Sequence, residues 1–124
     1  MTLELSQAFF FEAAHTLARD YGGGTSHRIH GHTYHVEVTV RGERDPKTGM
    51  VLDLAVLRAH IETVRKVLDH RLLDEVEDLG VPTLENLSMF IARRLRALEA
   101  RVVAVKVWRE ASGDSCRFLL PEVL

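Results

Sequence analysis

Two histidines separated by one glycine, His30-Gly31-His32, are the residues of this chain best suited to do chemistry. In a strand, residues two apart share a face, so the two imidazoles point the same way. A third histidine, His15, ends a hydrophobic run upstream. Three histidines with no fourth protein ligand describe an open, catalytic zinc site, because a structural zinc site closes all four positions. The pair alone is a weak signal, more often a polar strand face without metal. His15 weighs toward the metal, since it falls on the apolar face of its strand, where unpaired polar burial costs about 1–3 kcal/mol. If the first two strands pair as a hairpin, the three rings converge.

The elements that must position these rings can be read from periodicity. Leu3, Leu5, Phe9, Phe11, Ala13 and His15 alternate along one face of a first strand, with Gln7 the exception. A glycine-rich loop over 19–26 follows. The second strand runs from about His30 to Arg41, with His30, His32, Tyr34, Val36, Val38 and Val40 on one face. His35 falls on the other face, His27 lies in the loop near the site, and His60 reads as solvated on a helix. The turn Asp45-Pro46-Lys47-Thr48-Gly49 carries the expected breakers. Asp53 caps a helix from Leu54, whose buried stripe is Leu54, Leu57, Ile61, Val64 and Leu68. An acidic connection follows Asp69-His70. Thr83 caps a second helix with the stripe Leu84, Leu87, Ile91, Leu95 and Leu98. Val102 to Glu110 reads as a strand, Ala111 to Ser115 as a turn and Arg117 to Leu120 as a last strand.

The order β-β-α-α-β-β predicts an α+β domain, a four-stranded antiparallel sheet with two helices on one face. Its other face and its open edges need cover. Several subunits closing their sheets into a barrel would supply it, so a homo-oligomer is expected. The 124 residues fit a single domain, 1–124, and the hydrophobic fraction of 46% is ordinary for a globular chain. A net charge of −2 gives no reason to propose nucleic acid or membrane as a partner. Arg93, Arg94 and Arg96 read as a solvated helix face. No apolar run reaches the roughly 18 residues of a membrane span, and no signal peptide is seen. Together with a single cysteine, Cys116, which reads as a small buried side chain, this predicts a cytoplasmic protein.

At these residues the sequence resembles the 6-pyruvoyl-tetrahydropterin synthases and their relatives, the 6-carboxy-tetrahydropterin synthases of queuosine biosynthesis. Phe11-Glu12-Ala13-Ala14-His15 is similar to the family's first motif, and Arg28-Ile29-His30-Gly31-His32-Thr33-Tyr34 to its second. Thr48-Gly49-Met50-Val51-Leu52-Asp53, Leu68-Asp69-His70, Pro82-Thr83-Leu84-Glu85-Asn86 and Glu110 follow in the family's order. The resemblance implies the tunnelling fold, with trimers closed into a barrel, two trimers stacked into a homohexamer, and active sites between subunits. It implies a zinc-dependent lyase that converts 7,8-dihydroneopterin triphosphate to a 6-substituted (carboxy- or pyruvoyl-) tetrahydropterin. It implies zinc on His15, His30 and His32, with Asp69 and His70 as a proton relay. Glu110 would anchor the pterin, with Thr83 and Glu85 completing the pocket.

The chain departs from the family at one position. The family's general base is usually a cysteine four residues before the first histidine of the pair, and here that residue is Ser26. A thiol is readily made a thiolate, whereas a serine hydroxyl is a poor base toward carbon acids. Ser26 itself or the adjacent His27 would then take the proton. The alternatives are side-chain cleavage to 6-hydroxymethyl-dihydropterin, or a zinc- and pterin-binding homologue with weak catalysis.

Overall fold

The computed structural model describes residues 1–17, 27–98 and 101–121. Four strands form one antiparallel sheet in the order β1-β2-β3-β4: Leu3–His15, His30–Gly42, Arg101–Arg109 and Asp114–Leu119. Helix α1, Leu54–Leu68, packs on β1, and helix α2, Leu84–Arg94, packs on β3 and β4. Both helices lie on the sheet face that carries the apolar residues, as the periodicity predicts.

The β1–β2 hairpin is in register along its whole length, from Leu3 opposite Gly42 to His15 opposite His30. Directly opposed residues of an antiparallel pair point to the same face. This register therefore carries His15, His30 and His32 to one end of one face. Beneath them Phe11 and Tyr34, both fully buried, stack with centroids 5.1 Å apart. Leu57, Val64 and Leu68 from α1 and Leu87 and Ile91 from α2 complete the core. Each such side chain contributes about 1.5–3 kcal/mol by leaving water. This packing provides the floor on which the histidines stand.

Both predicted helix caps are present. The Asp53 carboxylate accepts from the Ala55 N–H at 2.9 Å, and Thr83 Oγ1 accepts from the Asn86 N–H at 3.1 Å. Asp53→Ala is expected to cost about 1 kcal/mol of stability, read as a lower denaturant midpoint.

Two features differ from the sequence expectation. First, the connection after α1 is structured. A short 3-10 turn spans Leu73–Glu75, and Leu72 forms a parallel bridge to Ala14 on the edge of β1. The His70 N–H donates to the Glu12 carbonyl and the Ala14 N–H to the Arg71 carbonyl, so residues 70–72 line the β1 edge. Acidic composition conceals this pairing, which is made by backbone atoms. Second, β3 ends at Arg109, one residue before Glu110, and β4 begins at Asp114 rather than Arg117. Gly113, at φ +76°, closes a tight turn in which its N–H donates to the Arg109 carbonyl at 2.9 Å. Positive φ costs glycine little, so the strands pair up to this point.

Candidate metal centre

The sheet brings the three histidines together. His15 is buried, while His30 and His32 are half-buried. Their Nε2 atoms converge, with His15 to His30 at 3.0 Å and His15 to His32 at 3.1 Å. The rings stand nearly edge-on to one another, at 72°, 85° and 89°. Two of them are fixed from behind. His15 Nδ1 lies 2.9 Å from the Pro82 carbonyl, and His30 Nδ1 lies 2.7 Å from the Arg28 carbonyl. A carbonyl accepts only, so both Nδ1 atoms carry the proton and both Nε2 atoms present lone pairs.

Two lone pairs 3.0 Å apart repel unless a cation lies between them. Tetrahedral zinc with bonds of about 2.0–2.1 Å separates its nitrogens by roughly 3.3 Å, close to what these rings present. The donor set therefore fits zinc. Among the described residues, these histidines are the one group of three or more His, Cys, Asp or Glu side chains able to hold a metal ion. Three protein donors leave a coordination position for a ligand.

The surroundings keep the His15 and His32 imidazoles neutral. Burial lowers the pKa of His15 below its ordinary value of 6.5, against the Pro82 hydrogen bond, which raises it. Burial, then the Arg109 cation, brings His32 down to about 4. Between the ordinary value of 6.5 and about 4, the unfolded chain takes up a proton at His32 that the folded chain refuses. Folding is then disfavoured as pH falls. The metal-free protein is expected to lose stability from pH 6.5 down to about 4, before Asp69 and Asp74, both held below 3.8, begin to titrate. Denaturant midpoints across this range, with His32→Gln showing a flatter dependence, check it.

Asp69 and His70 form a second constellation. His70 Nδ1 lies 2.9 Å from Asp69 Oδ2, and the Glu12 N–H donates to Asp69 Oδ1 at 3.0 Å. The Glu12 N–H first, then His70, hold the Asp69 carboxyl below its usual range, so it is ionised at neutral pH. An ionised Asp69 accepts from Nδ1–H and leaves Nε2 of His70 free to take a proton. The His70 side chain is 76% exposed and its backbone sits at φ 58°, a conformation that non-glycine residues adopt at a cost. An open groove of about 540 Å³ is lined by Glu12, Ala14, Gly31, His32, Thr33 and His70, among others. It borders His70 on the sheet face of Glu12, Gly31 and Thr33, opposite the face that carries the imidazole rings.

Gly31 alternates away from the two histidines that flank it. A side chain there would point away from the rings, and a Cβ would have the Ala13 carbonyl as its nearest neighbour at 3.7 Å. Its smallness opens the groove, not the space around the rings.

The remaining predicted residues are scattered. His27 is exposed, and Ser26 lies outside the described residues. Thr83 is engaged as the α2 cap, while the neighbouring Pro82 carbonyl orients His15. Glu85 is exposed on the first turn of α2. His35 stacks on Trp108 on the opposite face, with centroids 5.4 Å apart. Glu110 also turns to that face, where Trp108 Nε1–H donates to its Oε1 at 2.9 Å. Within this chain Glu110 is therefore not brought to the triad.

Arg109 is brought there instead. Val105, Val107 and Arg109 alternate on the histidine face of β3, and Arg109 Nη1 lies 3.4 Å from His32 Nε2. Sequence reasoning missed it because the resemblance pointed to Glu110 instead. The parity of the two buried valines was the signal. Pro82 gave no signal, because it acts through a carbonyl that every residue has.

Fold and site together define an α+β domain carrying an open three-histidine centre at the end of a hairpin. The chain belongs to the 6-pyruvoyl tetrahydropterin synthase family, whose model matches residues 4–119, and so to a family of lyase-type enzymes. It is 38% identical over 86 residues to a dihydroneopterin monophosphate aldolase from Pyrococcus furiosus, covering 69% of this chain and 68% of that protein. It is 32% identical over 126 residues to a 6-carboxy-5,6,7,8-tetrahydropterin synthase from Bacillus subtilis, covering 93% and 84%. The solved structure of 6-pyruvoyl tetrahydropterin synthase from Caenorhabditis elegans superposes with a TM-score of 0.84 at 26% identity, covering 98% of this chain and 97% of that one. Identity of 49% and 47% with two further curated relatives extends over only 42% and 51% of their lengths, so the chain spans about half of each. No helix among the described residues is long and apolar enough to cross a membrane.

Proposed function

We propose that this protein is a zinc-dependent lyase acting on 7,8-dihydroneopterin triphosphate, forming a 6-carboxy- or 6-pyruvoyl-tetrahydropterin. The observation that carries the reading is the convergence of three imidazole Nε2 atoms, two with Nδ1–H tied to carbonyls. His15, His30 and His32 would hold a zinc ion, which would supply a Lewis acid to an oxygen of the substrate side chain. His70, oriented by Asp69, moves protons at its Nε2. Ser26 or His27 takes the proton that a cysteine takes in other family members. Thr83 and Glu85 border the pterin. Glu110 reaches a pterin only where a second subunit brings one to the outer face of the sheet. The functional unit is a homohexamer in the cytoplasm, comprising a single domain per chain. The exposed Phe10 and Leu119 and the edge strands β1 and β4 support assembly.

Ser26 favours a second reading, side-chain cleavage to 6-hydroxymethyl-dihydropterin, and so does similarity to a protein named an aldolase. Mass spectrometry of the products, with an acetaldehyde trap, separates the two. Release of tripolyphosphate with a carboxy- or pyruvoyl-pterin supports the first reading, and 6-hydroxymethyl-dihydropterin the second. Unchanged substrate after long incubation with zinc would leave a binding protein only. Under the first reading, Ser26→Cys is expected to raise the rate of tetrahydropterin formation by about tenfold or more, because a thiolate is the better base. An unchanged rate would place the base elsewhere.

A further inference from the structure

We propose that Arg109 is a ligand-binding residue that holds an anionic oxygen, a carboxylate or a phosphate, beside the histidine triad. The inference rests on the triad's being a metal site of a pterin enzyme and adds a group that the reading above does not use.

Placement comes first. Arg109 continues the buried parity of Val105 and Val107, and extending the register of His35 with Trp108 by one residue sets it opposite Tyr34. Its side chain is 16% exposed. Asp114, across the β3–β4 turn, accepts from Nη2 at 2.8 Å, and Tyr34 lies opposite on β2. This setting aims the cation at the rings rather than at solvent.

Hydrogen-bond accounting comes second. The single lone pair on His32 Nε2 cannot serve both a metal ion and Arg109 Nη1 at 3.4 Å. Once the metal takes it, that N–H needs another acceptor. The Nε–H is buried and has no acceptor among the described residues. Buried donors left unpaired on a charged group are costly, so the site is short of acceptors.

Charge points the same way. A metal dication beside a guanidinium is repulsive in a partly dry site, and the Asp114 carboxylate offsets only part of it. Glu110, the carboxylate next in sequence, faces Trp108 on the other side of the sheet. An anionic ligand oxygen between the two cations removes the repulsion and supplies the missing acceptor. A ring edge made of N–H donors would meet a guanidinium unfavourably. Arg109 therefore selects for the oxygen-bearing part of a ligand at this position.

The test is calorimetric titration of the purified protein, with and without added zinc, using tripolyphosphate and, separately, pyruvate. Binding of one or both to wild type, weakened about tenfold or more in Arg109→Gln, is the expected result. Which probe binds tells phosphate from carboxylate. Arg109→Lys, which keeps a point charge without the guanidinium's geometry, is expected to weaken binding by about three- to tenfold, and it carries the test if Arg109→Gln does not fold. Asp114→Asn, which removes one anchor but keeps the cation, is expected to weaken binding by less than Arg109→Gln. Wild type binding neither probe, full affinity in Arg109→Gln or in Arg109→Lys, or equal losses in Asp114→Asn and Arg109→Gln would each overturn the proposal. Zinc content and turnover of wild type are measured alongside. A protein that binds anions through Arg109 but holds no zinc and converts no pterin counts against the function proposed above, not against this inference.

Discussion

His30→Ala is expected to reduce bound zinc from near one per chain to a trace and to lower turnover by about 10²–10³-fold or more, the range for losing a preorganised electrostatic element. The argument is geometric. His30 Nε2 lies 3.0 Å from His15 Nε2, and its Nδ1–H is fixed by the Arg28 carbonyl, so the ring has one orientation and one free lone pair. Without it two donors remain, too few for a catalytic zinc site. The fold should survive. His30 is half-buried, and removing it from the metal-free protein ends a repulsion between lone pairs. His15→Ala would be a poorer experiment, because His15 is only 2% exposed and its loss orphans the Pro82 carbonyl. Metal analysis and product formation on the same preparation check the prediction, and a His30→Ala protein that kept both zinc and activity would refute the metal centre.

His70→Asn is expected to lower turnover by about 10²-fold or more, the usual worth of a positioned acid or base, without destabilising the protein. The structure separates the two effects. The His70 side chain is 76% exposed, and little packing is lost with it. Its backbone is at φ 58°, where asparagine is better tolerated than most residues. Replacement should leave the denaturant midpoint unchanged or raise it slightly. A strained, exposed histidine is costly to keep for packing alone, which favours a proton-transfer role. Asp69→Asn should lower turnover as well, since an amide no longer stabilises the charged imidazole. Zinc content should remain at wild-type level in both variants. Loss of zinc would show the pair to be structural support for the centre.

Much of this molecule could be read from local pattern. Alternation along Leu3 to His15 and along His30 to Arg41 predicts two strands, and which face each histidine occupies. Spacings of three and four set the buried stripes of both helices, and Asp53 and Thr83 mark their starts. These features depend on neighbours in sequence, where period and capping are decided by backbone geometry. Even the choice of His15, His30 and His32 over His35 follows from parity, and His60 is set aside by its place on the polar side of a helix.

The end of β3 could not be read this way. Where a strand stops depends on which residue its partner pairs with, and here Gly113 and the Arg109–Asp114 pair close the hairpin one residue before Glu110. A shift of one residue exchanges the faces, so the carboxylate goes to Trp108 and the guanidinium to the histidines. The sequence by itself therefore determined which three histidines converge and the hairpin that carries them, since both rest on short-range periodicity. Only the tertiary structure decided what surrounds them: the Pro82 carbonyl behind His15, residues 70–72 along the β1 edge, and Arg109 beside His32. Those contacts join residues far apart in the chain or hinge on strand register, and no local pattern encodes either.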